Sequence, residues 1–286
     1  MSEAAAVARY PELAGKVAVV TGAGRLQGLG AGMARRLAQE GCRLLVHDLG
    51  QTAGEIAPEH GVGLAEELEQ VADAIRSEGG TCATFVGDML VEDDVRRMIA
   101  TAVEAYGRLD ILINNAGIGY LIGPVVEMTQ EKWDAVLGVN LRGCFFGMKH
   151  AAAQMIAQGE GGRIVSVASQ AAKTGFALMS AYVASKHGLI GLTRTAAIEL
   201  GKDGITVNAI CPNHVPTDLG NWQRETLSAR RGLSSDDYWK NLRARVPLGR
   251  PGSVGDIANA CAFLCSDEAS YITGEAVNVS GGEEYH

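Results

Sequence analysis

Residues 16–48 read KVAVVTGAGRLQGLGAGMARRLAQEGCRLLVHD and hold two strands with a helix between them. KVAVVT (16–21) and RLLVHD (43–48) are short runs rich in Val and Leu, the pattern of buried strands, and helical spacing of apolar residues predicts a helix near 29–40. The connecting segment TGAGRLQGLG (21–30) is built of small residues, which let backbone N–H groups approach a pyrophosphate at a helix N-terminus. Gly22, Gly28 and Gly30, with Leu29 between the last two, are the expected phosphate contacts. A Gly-rich turn alone is weak evidence, because tight turns need glycine in any case. Asp48 adds weight, ending the second strand 18 residues after Gly30, where a carboxylate accepts from both ribose hydroxyls and repels a 2′-phosphate. The segment therefore reads as an NAD site in preference to an NADP site. Arg25 opposes this, since a guanidinium in the phosphate loop would pair with a 2′-phosphate; its plain reading is a solvated loop residue.

The alternation continues outward. Helices are predicted near 64–78, 92–106, 130–157 (mostly helix), 180–200 and 254–265. Strands are predicted at TCATFVG (81–87), LDILINN (109–115), GRIVSVA (162–168), ITVNAIC (205–211) and EAVNVS (275–280). That makes seven strands. Several are apolar at consecutive positions, as expected when helices cover both faces of a parallel sheet, so the class is doubly wound α/β. No linker composition interrupts the pattern, and residues 1–286 read as one domain with a core at 16–282. Two connections are too long to be plain turns, 50–63 and 212–251, and both follow strand C-termini, where ligands bind in such sheets.

Composition bounds the partners. Subtracting 33 acidic from 25 basic residues gives a net charge of −8, which argues against nucleic acid or an anionic membrane surface. No apolar run approaches a membrane span, and MSEAAAVARYPELAG lacks a signal-peptide layout, so a cytoplasmic protein is expected. Six cysteines (42, 82, 144, 211, 261, 265) show no CxxC and no ordered Cys/His spacing, which predicts neither a disulfide nor a metal site. Cys261 and Cys265 share a helix face and read as buried thiols.

The motifs TG…GLG (21–30), GD (87–88), NNAG (114–117), VNLRG (139–143), Ser169 thirteen residues before Tyr182, YVASK (182–186) and VNAICP (207–212) occur in order. Together they resemble the short-chain dehydrogenase/reductase family over about 16–282. The resemblance implies a Rossmann-like domain with strand order 3-2-1-4-5-6-7. It implies that Asp88 and Met89 flank the adenine, that Asn115, Ala116 and Gly117 line the middle of the cofactor, and that Val215 and Thr217 meet the nicotinamide amide. Tyr182 and Lys186 stand at i, i+4, so a helix puts both on one face, where an ammonium stabilises a phenolate. Tyr182 is then the general acid/base. By the same resemblance Lys186 also holds the nicotinamide ribose, Ser169 bonds the substrate oxygen, and Asn140 orders a water linking Lys186 to solvent. Two departures stand out. Leu26-Gln27 is an insertion in the usual TGxxxGxG spacing, and Asn213 replaces the glycine that usually follows the proline of VNAICP. Asn213 reads equally as a turn residue able to adopt a left-handed conformation and as a polar group beside the nicotinamide.

The 212–251 segment reads as a substrate lid, carrying Trp222, Tyr238 and Trp239 with Arg224, Arg230, Arg231, Lys240, Arg243 and Arg245. The favoured reading of the bases is a solvated helical lid pairing with Glu225, Asp236 and Asp237; the sharper one is recognition of an anionic substrate. Gln170, Asn213 and Trp222 are the expected substrate contacts, whereas His187 and His214 read as a helix-surface and a loop histidine. The 50–63 loop looks like the extended loop of hydroxyacyl-CoA dehydrogenase domains and of nicotinoprotein members of the family. The leading expectation is an NAD-dependent dehydrogenase interconverting a secondary alcohol (sugar, polyol or cyclic alcohol) and its ketone. A 3-oxoacyl/3-hydroxyacyl thioester oxidoreductase is the first alternative, and a non-catalytic nucleotide-sensing protein the second. The partner is a small-molecule substrate. The family resemblance also implies a homo-oligomer, tetramer or dimer, pairing through the helices near 130–157 and 180–200, and the segment GGEEYH (281–286) is open between reaching a neighbour and fraying.

Overall fold

The computed structural model describes residues 9–51, 63–119, 121–232 and 234–286. Seven parallel strands form one sheet in the order β3-β2-β1-β4-β5-β6-β7. They are β1 Val17–Thr21, β2 Arg43–Asp48, β3 Thr81–Val86, β4 Ile111–Asn114, β5 Gly162–Val167, β6 Ile205–Pro212 and β7 Ala276–Val279. The strand order reverses between β1 and β4, which pair with Ala18 opposite Ile111 and Val20 opposite Ile113. The crevice above that reversal, at the strand C-termini, is where such sheets bind ligands.

The run of apolar residues in β1 is explained by two cores. Ala18 and Val20 join Leu44, Val46, Ile111 and Ile113 under α1 (Leu29–Gln39), α2 (Ala65–Ser77) and α9 (Val254–Cys265), through Met33, Leu37, Leu68 and Ile257. Val17 and Val19 turn the other way with Leu45 and Leu112. They meet α3 (Glu92–Tyr106), α5 (Cys144–Gln158) and α6 (Ser180–Leu200) at Met98, Met155 and Leu189. Each such fully buried side chain contributes about 1.5–3 kcal/mol. Below the sheet, Asp110 holds β4 to β1 by accepting from Val17 N–H at 2.9 Å and from Arg108 Nε at 2.8 Å. Burial pushes the Asp110 carboxyl upward, but the Arg108 and Val17 hydrogen bonds outweigh it and hold the group below its ordinary value.

Three regions depart from or refine the sequence reading. The stretch expected as mostly helix over 130–157 is α4 (Gln130–Leu137), a π-helical segment Gly138–Gly143, and α5. The segment expected as a lid holds two helices, α7 (Asp218–Arg231) capped by Thr217 and α8 (Ser235–Arg245) capped by Ser234. The long loop after β2 is closed at its base, where Gly50 N–H donates to Gly63 O and Ala65 N–H to Gly50 O, both at 3.1 Å. Its interior lies outside the described residues. All six cysteines are free and buried. Among the described residues, no helix is long and apolar enough to cross a membrane and no three acidic, His or Cys side chains are grouped to hold a metal ion.

Candidate active site

At the nucleotide end, the β1–α1 turn is shaped by what cannot fit there. Gly22 has φ +65°, and a Cβ on it would lie 2.6 Å from Ala116 Cα. A Cβ on Gly30 would collide with Gly22 O. These two glycines let the turn, the start of α1 and the end of β4 close on one another. The Leu26-Gln27 insertion is absorbed in a turn closed by Gly28 N–H on Arg25 O at 2.9 Å, with Leu26 half-exposed, so Gly28 still precedes the helix. Gly28 caps α1 without a side-chain acceptor, and Leu29 is the first helical residue. The N-cap residue thus leaves the amides of that first turn without a side-chain cap, and such amides suit an anion.

Asp48 ends β2 with its Oδ2 accepting from Gly24 N–H at 2.7 Å and its Oδ1 from Leu49 N–H at 2.8 Å. Gly63, where the long loop returns, packs so close that a Cβ there would lie 2.8 Å from Asp48 Oδ2. His47, beside it, is fully buried and bonds Gly87 O through Nε2 at 3.0 Å. Burial pushes its imidazole below the ordinary value, so it brings no positive charge to this end at neutral pH. Arg25 reaches away, pairing with Asp218 Oδ2 at 2.7 Å in the first turn of the lid helix α7. Asn115 ties β4 to β1 through Thr21 O (2.9 Å) and Gly22 O (2.8 Å), while Ala116 N–H bonds Thr21 Oγ1. Asp88 turns its Oδ1 onto Leu90 N–H, and Met89 is buried against Gly143. Glycine cradle, uncapped helix start and ribose-side carboxylate together fit a dinucleotide.

The chemical end is carried by α6. Tyr182 and Lys186, 8% and 5% exposed, lie on its buried face with Ser185 and Leu189. Lys186 Nζ donates to Val167 O at 2.8 Å, which places the ammonium at the end of β5 and 5.6 Å from the centre of the Tyr182 ring. Asn140, fully buried in the π-helical segment, accepts from Ile118 N–H at 2.8 Å and donates to Ile118 O at 2.9 Å and to Ser185 Oγ at 3.2 Å. Ser185 Oγ in turn donates to Tyr182 O at 2.7 Å. One carboxamide thus fixes the loop after β4 against the turn of α6 that carries Tyr182 and Ser185. Gly117 is next to both groups, a Cβ there lying 3.1 Å from Asn140 Oδ1 and 3.7 Å from Lys186 Nζ. Ser169 Oγ accepts from Ala171 N–H at 3.1 Å, capping the short turn that begins at Gln170. A π turn at a functional position is common, because it frees main-chain groups that an α-helix would bond.

Val215 is buried, and Thr217 caps α7 with its hydroxyl on Gly220 N–H. The lid reaches the site through Leu219, which a Cβ on Gly119 would approach to 2.8 Å. Asn213 corrects one expectation. Leu178 alone among the described non-glycine residues has positive φ, so Asn213 is not left-handed. Its Nδ2 donates to Ser280 O at 2.8 Å and Glu283 Oε2 at 3.0 Å, 67 and 70 residues along the chain. Of the lid bases, Arg224 pairs with Glu225 and lies over the Trp239 ring, and Arg245 pairs with Glu283; Asp237 is bonded to Ser234. Arg230 and Arg231 side chains lie outside the described residues. His187 is exposed and bonds Val183 O within its own helix, whereas His214 is buried edge-on to Tyr238 and Trp239.

Residues 22–284 match the profile of a family described as enoyl-(acyl carrier protein) reductase. A short-chain dehydrogenase/reductase of Armillaria gallica is 39% identical over 268 residues, covering 94% of this chain and 95% of that one. The chain belongs to the short-chain dehydrogenase/reductase family. As a member it is an oxidoreductase, which removes the non-catalytic alternative. A 3-oxoacyl-[acyl-carrier-protein] reductase of Staphylococcus aureus is 36% identical, with 93% and 97% coverage. Two solved members superpose over nearly the whole chain. Carveol dehydrogenase from Mycobacterium avium in complex with NAD gives a TM-score of 0.88 at 32% identity, covering 94% of this chain and 98% of that one. An NAD+-bound xylitol dehydrogenase gives 0.85 at 33%, covering 95% and 100%.

Sequence reasoning missed several members of the site. Ser185 sits inside the quoted YVASK, three residues after Tyr182, and helical spacing alone would have placed it beside the catalytic pair. Gly24, Gly63, Ile118 and Asp218 act through backbone or through partners far along the chain, and no local pattern marks them.

Proposed function

We propose that this short-chain dehydrogenase/reductase oxidises secondary alcohols to ketones, or runs the reverse reaction, with NAD. The observation that carries the reading is the buried arrangement of Tyr182, Lys186, Ser185 and Asn140 beside the loop that holds Ser169. NAD would be held by the Gly22–Gly30 turn, Asp48, Asp88–Met89, Asn115–Gly117, Lys186, Val215 and Thr217, and when bound it supplies the hydride acceptor. The Lys186 ammonium favours the phenolate form of Tyr182, which takes the hydroxyl proton and becomes the neutral phenol, while Ser169 holds the oxygen from which the proton leaves. Asn140 keeps this set in register through Ile118 and Ser185, and would order a water that links Lys186 to solvent.

Asp48 supports NAD over NADP, and the pairing of Arg25 with Asp218 supports the same choice, since that guanidinium already has a carboxylate. Among sugars, polyols and cyclic alcohols, the surroundings of Tyr182 favour the last. Tyr182 belongs to an apolar cluster with Val136, Ala171 and Met179, against which Ile118, Leu121, Ile122 and Met128 pack half-buried. A polyol would leave hydroxyls facing carbon there, each at a cost of about 1–3 kcal/mol. The thioester alternative draws support from the acyl carrier protein reductases among the relatives. A cytoplasmic homo-oligomer, dimer or tetramer, belongs to the same reading; Phe145 of α5, Leu192 of α6 and Leu141 of the π-helical segment line a surface cavity suited to a second copy.

The test is the near-ultraviolet absorbance of reduced nicotinamide across a panel of cyclic alcohols (carveol, cyclohexanol), polyols, aldoses and 3-hydroxyacyl thioesters, each with NAD+ and NADP+. Cyclic alcohols are expected to give the highest kcat/KM, by about tenfold or more over polyols. Activity confined to thioesters would replace the reading with its alternative.

A further inference from the structure

We propose that Glu283 and Glu284 are positioning residues that strap the substrate lid to the loop bearing Ser169. The inference rests on the dehydrogenase reading for its catalytic meaning and on geometry alone for the strap. After β7 the chain turns back through Gly281 (φ +62°) and Gly282 (φ +90°), conformations that favour glycine. A Cβ on Gly281 would lie 2.7 Å from Val246 Cγ1, and one on Gly282 2.9 Å from Pro247 Cγ, so the turn lies flat against the exit of the lid. Leu248 N–H donates to Gly281 O at 3.1 Å.

The two carboxylates that follow point in opposite directions. Glu283 accepts from Asn213 Nδ2 through Oε2 at 3.0 Å and pairs through Oε1 with Arg245 Nε at 3.3 Å. It therefore joins the loop after β6 to the last turn of α8. Glu284 is buried, and its Oε2 accepts from Thr174 Oγ1 at 2.6 Å, on the loop that leaves β5 through Ser169 and Gln170. Lys173 Nζ adds a bond from that loop to Ala276 O at 2.6 Å. The segment itself is held by Ser280 Oγ, which meets Glu284 N–H and O at 3.2 and 3.3 Å, and by Asn278 Nδ2 on Glu284 O at 3.2 Å.

Residues 280–284 join the loop after β6, the exit of α8 and the loop that bears Ser169. The apolar cluster under α8 is small, consisting of Tyr238, Leu242 and Val246 with Trp239 against it. With so little apolar contact beneath α8, the bonds of Glu283 to Asn213 and Arg245 and the backing of Glu284 on Thr174 decide how firmly the segment is held.

Hydrogen exchange on the full chain tests this without any substrate. In Glu283→Ala the amides of 235–249 are expected to exchange about tenfold faster while β4, β5 and β6 stay protected. Glu284→Ala should loosen both the lid exit and residues 169–174, and Glu284→Gln, which keeps an acceptor for Thr174, should restore most of the protection. With the fastest alcohol of the panel, both alanine variants should raise KM for the alcohol about tenfold and leave KM for NAD+ within about twofold. Unchanged exchange in the lid, or faster exchange through the whole sheet, would overturn the proposal. Because exchange needs no turnover, that failure is separate from an absence of dehydrogenase activity.

Discussion

Replacing Tyr182 with Phe is expected to lower kcat/KM for the preferred alcohol by about 10²–10⁴-fold, the usual contribution of a positioned acid/base. The change removes one oxygen and keeps the ring, which is packed among Val136, Ala171, Met179 and Ala181. Thermal stability should therefore fall by no more than about 1 kcal/mol. Lys186 retains its bond to Val167 O, and Asn140 retains Ile118 and Ser185, so the cofactor-binding surface stays assembled. Titration with NAD+ should give a Kd within about twofold of the parent. A variant that binds NAD+ normally and turns over near the parental rate would remove Tyr182 from the proton path. Loss of NAD+ binding together with activity would point to a structural role instead.

The second large effect concerns the cofactor. Asp48→Asn is expected to raise KM for NAD+ by about 10–100-fold, because hydrogen bonds from ribose hydroxyls to a carboxylate contribute about 1.5–3 kcal/mol and a neutral amide reproduces only part of that. The preference for NAD+ over NADP+ should fall by a larger factor, since the repulsion of a 2′-phosphate disappears too. Asp48 also accepts from Gly24 and Leu49 N–H, so some loss of order in the loop accompanies the change. Adding Asp218→Asn separates the two causes. That second change releases Arg25 from its ion pair and should improve NADP+ use several-fold without restoring NAD+ use. Steady-state kinetics with both cofactors would settle it. Equal use of NAD+ and NADP+ by the parent protein would contradict the role given to Asp48.

The sheet was legible because burial on both faces writes itself into consecutive apolar residues, as at Val17–Val20, and because glycines mark the turn that follows. The catalytic pair was legible for a local reason, since Tyr182 and Lys186 are one helical turn apart. What escaped depends on partners remote in sequence. Arg25 was weighed as a phosphate contact, and its carboxylate lies 193 residues away at Asp218. Asn213 was read as a left-handed turn residue or a nicotinamide neighbour, yet a strand-and-turn segment 67 residues on holds its amide. The π segment Gly138–Gly143 falls inside the stretch 130–157 that reads as mostly helix, because one widened turn shifts the apolar period too little to register. Segment 281–286, open in the sequence, folds onto its own chain through Glu283 and Glu284.

The central claim is that a hydride leaves the carbinol carbon while Tyr182 takes the hydroxyl proton. The most direct test uses cyclohexanol or carveol carrying deuterium on the carbinol carbon, incubated with the protein and NAD+, followed by mass spectrometry of the reduced cofactor. One deuterium per reduced nicotinamide, with none in the Tyr182→Phe control beyond its residual rate, is the predicted result. Ketone formed without deuterium in the cofactor, or no ketone from any alcohol while 3-hydroxyacyl thioesters react, would contradict the account.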